Sequence, residues 1–100
     1  MRKPLLLLLL LAPVVAAAQT GHTIVQKNRR FNLAEIAIKR GESLTFTNAD
    51  EFIHQMYVDG LFDSDERLPG QTLTEDFPKT GTFEVRCHIH PKMKLVVRVN

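Results

Sequence analysis

Two patterns of apolar residues divide the chain. At its start Met1-Arg2-Lys3-Pro4 leads into an unbroken leucine run, Leu5 to Leu11, and then into Ala16-Ala17-Ala18. A basic start, a short apolar stretch and small residues just before Gln19 have the layout of a cleaved secretory signal peptide over residues 1–18. The apolar stretch is broken by Pro13 and falls short of the roughly 18 residues that a membrane-spanning helix requires, so no membrane anchor is expected. No cysteine follows it to take a lipid. From residue 19 to residue 100 the period changes to two.

His22 to Lys27 forms the first expected strand, with Asn28-Arg29-Arg30 as a basic turn behind it. Ile36 and Ile38 alternate with Ala37 and Lys39, and beyond the turn Lys39-Arg40-Gly41-Glu42 the residues Leu44 and Phe46 alternate with threonines. That pairing reads as a hairpin. Phe52 to Val58 is a further extended segment, Asp59 to Gly70 an acidic loop, and Gln71 to Phe77 a threonine-rich strand. After the turn Pro78-Lys79-Thr80-Gly81, Phe83, Val85 and Cys87 fall on one face, and Leu95, Val97 and Val99 are in phase in the last segment. Six or seven short strands separated by turn signals predict a small all-β Greek-key β-sandwich. The one segment with helical propensity is Phe31 to Ile36, for which a turn or an irregular strand is the alternative.

Charge and cysteine content narrow the function. Removing residues 1–18 takes Arg2 and Lys3 from the 13 Lys and Arg, and the formal charge falls from +2 to zero. A neutral domain has no composition-level reason to bind nucleic acid or an anionic membrane. Exported domains of this size commonly rely on disulfides or a metal. With one cysteine, Cys87, an intramolecular disulfide is impossible, which leaves an intermolecular bridge, a free thiol, a small buried core residue or a metal ligand.

Cys87-His88-Ile89-His90-Pro91-Lys92-Met93 supplies a thiolate, an imidazole and a thioether within seven residues, the soft and borderline donors that copper prefers. Cys87-x-x-His90-x-x-Met93 with one more imidazole would make a trigonal His₂Cys site with a weak axial methionine. His54 is the candidate for that imidazole, because His22 is the only other histidine outside the loop. Against this stand plainer readings: His54 as an ordinary strand histidine, and Met93 as core packing beside a three-coordinate site. Met56 reads as core and His88 as a side chain turned to solvent, with a second weak metal site as its minority reading.

The stretch from Thr80 to Met93 resembles the C-terminal copper loop of the cupredoxins, most closely in the plastocyanin and amicyanin branch. The resemblance implies a one-electron carrier of the bacterial periplasm. It implies one type 1 copper ion held by His54, Cys87, His90 and Met93, exchanging electrons with redox partner proteins. Three positions depart from the family pattern: Gln55 where asparagine usually ties the two ligand loops together, His88 where a small or hydroxylated residue is common, and Ile89 where proline is usual. Ile89 keeps a backbone N–H that could point at the Cys87 sulfur and raise the reduction potential.

Competing classes are copper buffering, delivery or resistance; an enzyme with an open coordination position; and a metal-free adhesive sandwich dimerised through Cys87. Histidine-rich or methionine-rich segments would favour copper handling, and there are none beyond the loop itself. No companion acid or base accompanies the loop, so a carrier and not an enzyme is expected; the expected state is a monomer.

Overall fold

The computed structural model describes residues 21–100; the signal-peptide reading of residues 1–18 lies outside the described residues. Nine strands form two facing sheets. They are β1 (His22–Lys27), β2 (Arg30–Phe31), β3 (Glu35–Ile38), β4 (Ser43–Asn48), β5 (Met56–Val58), β6 (Phe62–Asp63), β7 (Thr72–Asp76), β8 (Gly81–Cys87) and β9 (Lys94–Val99). One sheet runs β2-β1-β4-β7 and the other β3-β9-β8-β5-β6. The all-β sandwich expected from the alternation is therefore present.

The alternating side chains meet between the sheets. Ile24, Leu44 and Phe46 from the first sheet face Val85, Leu95 and Val97 from the second, all fully buried, with Phe77 filling the end of β7. Along β4 every second residue is buried, as a half-buried strand requires. Each such side chain contributes about 1.5–3 kcal/mol relative to exposure, and removing one to alanine would also leave a cavity.

Three expectations are corrected. Among the described residues the strands number nine, because β2 and β6 contain two residues each, too few to show a period. Phe31 to Ile36 holds no helix and instead links β2 to β3. The expected hairpin between β3 and β4 does not form: β3 lies parallel to β9, with Ile36 opposite Val97, and β4 lies parallel to β1, with Ile24 opposite Phe46. The Lys39–Glu42 turn instead carries the chain from one sheet to the other. It is anchored by Gly41 N–H to Phe77 O and Arg40 N–H to Asn100 O, with Gly41 at a φ of 88° that a side chain would disfavour. A hairpin and a crossover require the same alternation, since each strand offers one apolar face in both arrangements.

The hairpin that does form near this end is β1–β2. Lys27 pairs with Arg30, and Asn28 and Arg29 between them take φ of 53° and 56°, the two left-handed residues of a type I′ turn. This turn presents Arg29 towards the segment after β4. The ends of β4 and β8, the start of β9 and the turn of β1–β2 thus share one end of the sandwich.

Candidate metal centre

Cys87 is the last residue of β8, and its phase with Val85 turns its side chain into the core, where it is 1% exposed. His54 precedes β5 and forms an isolated bridge with Arg67, its N–H bonded to Arg67 O and its carbonyl accepting from Arg67 N–H. Only Met56 to Val58 of the expected segment Phe52 to Val58 is a regular strand. Because β5 pairs antiparallel with β8, with Met56 opposite Cys87, His54 and Cys87, 33 apart in the chain, are brought side by side. His54 Nδ1 lies 3.7 Å from Cys87 Sγ.

The imidazole of His54 is fully buried, and its orientation is set by Asp50. Asp50 Oδ2 accepts the His54 Nε2–H at 3.1 Å and the Arg29 backbone N–H at 2.7 Å, while Oδ1 accepts the Glu51 N–H at 3.0 Å. Burial pushes the Asp50 carboxyl up, but these donors, the Arg29 amide foremost, outweigh it and hold the group below its ordinary value. Burial pushes the His54 imidazole down, with the neighbouring His90 adding to the effect and Asp50 opposing it. The ring is therefore neutral near pH 7. With its proton on Nε2 facing the carboxylate, the Nδ1 lone pair faces the sulfur.

His90 repeats this arrangement with a weaker anchor. Its Nε2 lies 3.2 Å from Ile53 O, and a carbonyl can only accept, so Nε2 carries the proton and Nδ1 keeps the lone pair. The two imidazole centroids are 4.9 Å apart. Phe52 meets the His90 ring edge-on at 6.1 Å, and Met93 is buried with its N–H bonded to His90 O at 2.9 Å. The loop is thus folded back on itself by its own backbone.

The donor chemistry suits a single soft or borderline ion. Cys87 Sγ and His54 Nδ1, 3.7 Å apart, would hold such an ion between a thiolate and an imidazole, the donor pair that copper prefers. Among the described residues no three His, Cys, Asp or Glu side chains close into a finished cage. What is in place is the His54–Cys87 pair, the His90 ring against His54, and the buried Met93.

A family model for the cupredoxin-like domain matches residues 4–97. The chain belongs to the cupredoxin-like family. Solved structures agree in fold. A purple cupredoxin from Nitrosopumilus maritimus superposes with a TM-score of 0.73 at 20% identity, over 79% of this chain and 99% of that one. Amicyanin from Paracoccus versutus gives 0.74 at 21% identity, over 80% and 81%. A Cu-containing nitrite reductase from Thermus scotoductus gives 0.70 at 22% identity over 81% of this chain, which spans only 22% of that enzyme. No curated protein sequence matches the chain.

Within this cupredoxin-like domain, two of the departures read from the sequence acquire definite roles. Gln55 ties the segments carrying the candidate ligands together with its backbone instead of a side-chain amide: Gln55 N–H donates to Cys87 Sγ at 3.3 Å and Gln55 O accepts the His88 N–H at 2.9 Å. The donor to the sulfur is therefore Gln55. Ile89 N–H makes no hydrogen bond to it, because Ile89 sits in the bend beyond β8, 44% exposed, while the sulfur faces the Gln55 segment. His88 is exposed, as its strand phase predicts, and stacks on Tyr57 at 4.0 Å and 13° with its Nε2 3.0 Å from Asp63. Met56 is core, its sulfur accepting from Gln26 Nε2 at 3.2 Å, and His22 lies beside Glu42 at 3.4 Å, away from the ligand candidates.

Asn48 and Asp50 were not read from the sequence as part of the site. Asn48 is buried and donates from Nδ2 to both Phe52 O at 2.8 Å and Arg67 O at 2.9 Å, while its Oδ1 accepts the Asp50 N–H at 2.9 Å. Asn48-Ala49-Asp50-Glu51 has the composition of a turn, and that composition hides the fact that two of its side chains clamp the segment carrying His54. The spacing of Asp50 and His54, four apart just before a strand, is the one signal available.

Proposed function

We propose that the chain is a one-electron carrier whose single type 1 copper ion is held by His54, Cys87, His90 and Met93. The observation that carries this reading is the shared tautomer of the two imidazoles. Each uses Nε2 on an oxygen acceptor, Asp50 for His54 and Ile53 O for His90, which keeps both Nδ1 atoms available as ligands in a setting where Cys87 Sγ is already one partner. A carboxylate behind a ligating histidine fixes its orientation and raises its basicity.

Copper bound there would supply a site that gains or loses one electron with little change in its ligands. The chain's own residues prepare that property. His54 and Cys87 are sealed in the core and cannot be displaced by water, and Gln55 N–H offsets charge on the sulfur, which favours the reduced ion. His90 is half-buried beneath exposed Ile89 and Pro91, so its ring is the short route from the core to the surface. Asp50 is committed to three donors and is not available as a general acid or base, in keeping with a carrier and not an enzyme. The basic and leucine-rich start of the chain supports export to the periplasm, where redox proteins would exchange electrons with it.

Loading the purified protein with Cu(II) and recording visible absorption and EPR spectra tests the assignment. An intense thiolate-to-copper band is expected, absent from Cys87→Ser and intact in His22→Ala. A colourless protein that binds only Cu(I) would move the function to copper buffering or delivery, and a band that survives Cys87→Ser would overturn the ligand set.

A further inference from the structure

The surface over the His90 ring combines apolar side chains with unpaired positive charge. Three of the four large hydrophobic side chains exposed on the described residues, Phe52 at 38%, Leu33 at 40% and Ile89 at 44%, belong to this end of the sandwich. A depression of about 440 Å³ is lined by Arg29, Ile89, His90, Pro91 and Lys92. A second, of about 290 Å³, shares Arg29 and Lys92 and adds Arg30, Leu33 and Lys94 to its walls. Neither is lined by an aspartate or glutamate.

Four of the cations of a domain with no net charge are therefore gathered on one face. Among the described residues the side chains of Arg29, Arg30 and Lys92 form no ion pair with a carboxylate; Lys94 alone is near one, Glu84, at 4.0 Å. The Arg29 guanidinium lies 3.9 Å over the Phe52 ring, which holds a charge at the edge of the apolar area. Asp50 nearby is buried and already hydrogen-bonded, and Glu51, the exposed carboxylate next to Phe52, lines neither depression. The acidic segment between β5 and β7, with Asp59, Asp63, Asp65 and Glu66, lines neither depression, and its Asp63 is paired with His88.

We infer that this face docks a redox protein whose own contact surface is apolar at the centre and ringed by carboxylates. The inference rests on the carrier reading of the previous subsection and adds the chemistry of the partner. Apolar area supplies the contact over His90, and the basic rim supplies orientation and rate: opposite charge raises association by tenfold or more at low ionic strength, and salt removes the gain.

Cytochrome c offers a probe in which only the sign of charge changes, because succinylation of its lysines converts a basic surface into an acidic one around the same haem. In the reaction followed, copper(I) gives one electron and becomes copper(II) while haem iron(III) becomes iron(II). The succinylated form is expected to react at least tenfold faster than the native form at low ionic strength, its rate falling with salt, and Arg30→Glu combined with Lys92→Glu is expected to remove that preference. Retention of the copper band shows that the double variant is folded. In parallel, succinylated cytochrome c added to the metal-free protein is expected to shift the amide NMR signals of Arg29, Arg30, Ile89 and Lys92.

Faster reaction with native cytochrome c, or a rate independent of salt and of the double variant, would overturn the inference. So would shifts confined to the Asp59–Glu66 region, or binding to phosphatidylglycerol vesicles without binding to the acidic protein. Amide shifts at the basic face without electron exchange would uphold the docking surface and overturn the carrier reading instead.

Discussion

The two halves of the proposed copper site are built on opposite principles. The segment carrying His54 is locked by side chains: Asn48 clamps two carbonyls, Asp50 orients the imidazole, and Ser64 Oγ accepts the Met56 N–H at 2.9 Å. The loop carrying His90 is held by backbone, through Met93 N–H to His90 O and His88 N–H to Gln55 O, and its outer surface is open. One half orients His54 while the other brings His90 towards the surface, the division of labour that the proposed carrier would use.

The largest effect expected from disturbing this contrast is that of Asp50→Ala. Arg29 N–H, Glu51 N–H and the His54 ring all lose their acceptor; water would recover part, leaving a cost of about 2–4 kcal/mol. Copper affinity should also fall by about 10–100-fold, as when other residues that orient metal-ligating histidines are removed. Chemical denaturation of the metal-free protein and competition against a copper chelator measure the two losses separately. Unchanged affinity would show that His54 needs no orienting carboxylate.

Asn48→Ala ranks next. Phe52 O and Arg67 O each lose a buried donor, for an expected loss of about 2 kcal/mol in the metal-free protein. Its effect on copper affinity should be smaller than that of Asp50→Ala, because the carboxylate to His54 contact is retained. A loss of affinity equal to that of Asp50→Ala would mean that the clamp and the orienting carboxylate act as one unit.

On the open side, Ile89→Pro is expected to leave the reduction potential close to that of the parent. The hydrogen bond to Cys87 Sγ comes from Gln55 N–H, so the amide removed at residue 89 is not the one that tunes the sulfur. A clear fall in potential by redox titration would restore Ile89 as a donor and contradict the observed geometry.

The smallest effect concerns Glu75, on β7 and away from the site. Burial raises its carboxyl above the ordinary value of 4.5, with the adjacent Asp76 adding to the shift. A raised carboxyl favours the folded state while protonated and loses that advantage as pH climbs from 4.5 through the folded value. Glu75→Gln should therefore raise the melting temperature slightly at pH 7 and leave it unchanged at pH 4. The opposite shift is expected of the metal-free site: His54, held below its ordinary 6.5, makes stability fall as pH drops below that value.

Much of this architecture could be read from residue order. Six or seven strands can be read from alternation and turn signals, because a sheet buries one face and period two records it. The two-residue strands β2 and β6 escaped, being too short to carry a period, and the supposed β3–β4 hairpin was misread because alternation names the buried face but not the neighbouring strand. The copper-loop candidates Cys87, His90 and Met93 were legible for a local reason: three donors on one short loop have a spacing of their own. His54 was reached only by excluding His22. Asn48 and Asp50 stayed hidden because asparagine and aspartate beside a strand end look like any turn, and a buried hydrogen-bonding role leaves no periodic mark.

What residue order determined, then, was the sheet-forming alternation, the absence of any internal disulfide and the donor chemistry of the last loop, all of which depend on neighbours in the chain. Only the tertiary structure decided that β5 lies against β8, which brings His54 Nδ1 to 3.7 Å from Cys87 Sγ, that Asp50 and Ile53 O set both imidazole tautomers, and that Gln55 and not Ile89 supplies the amide to the sulfur. These are contacts between strands and loops, and their partners are fixed by which inner faces pack together, a choice that period two leaves open.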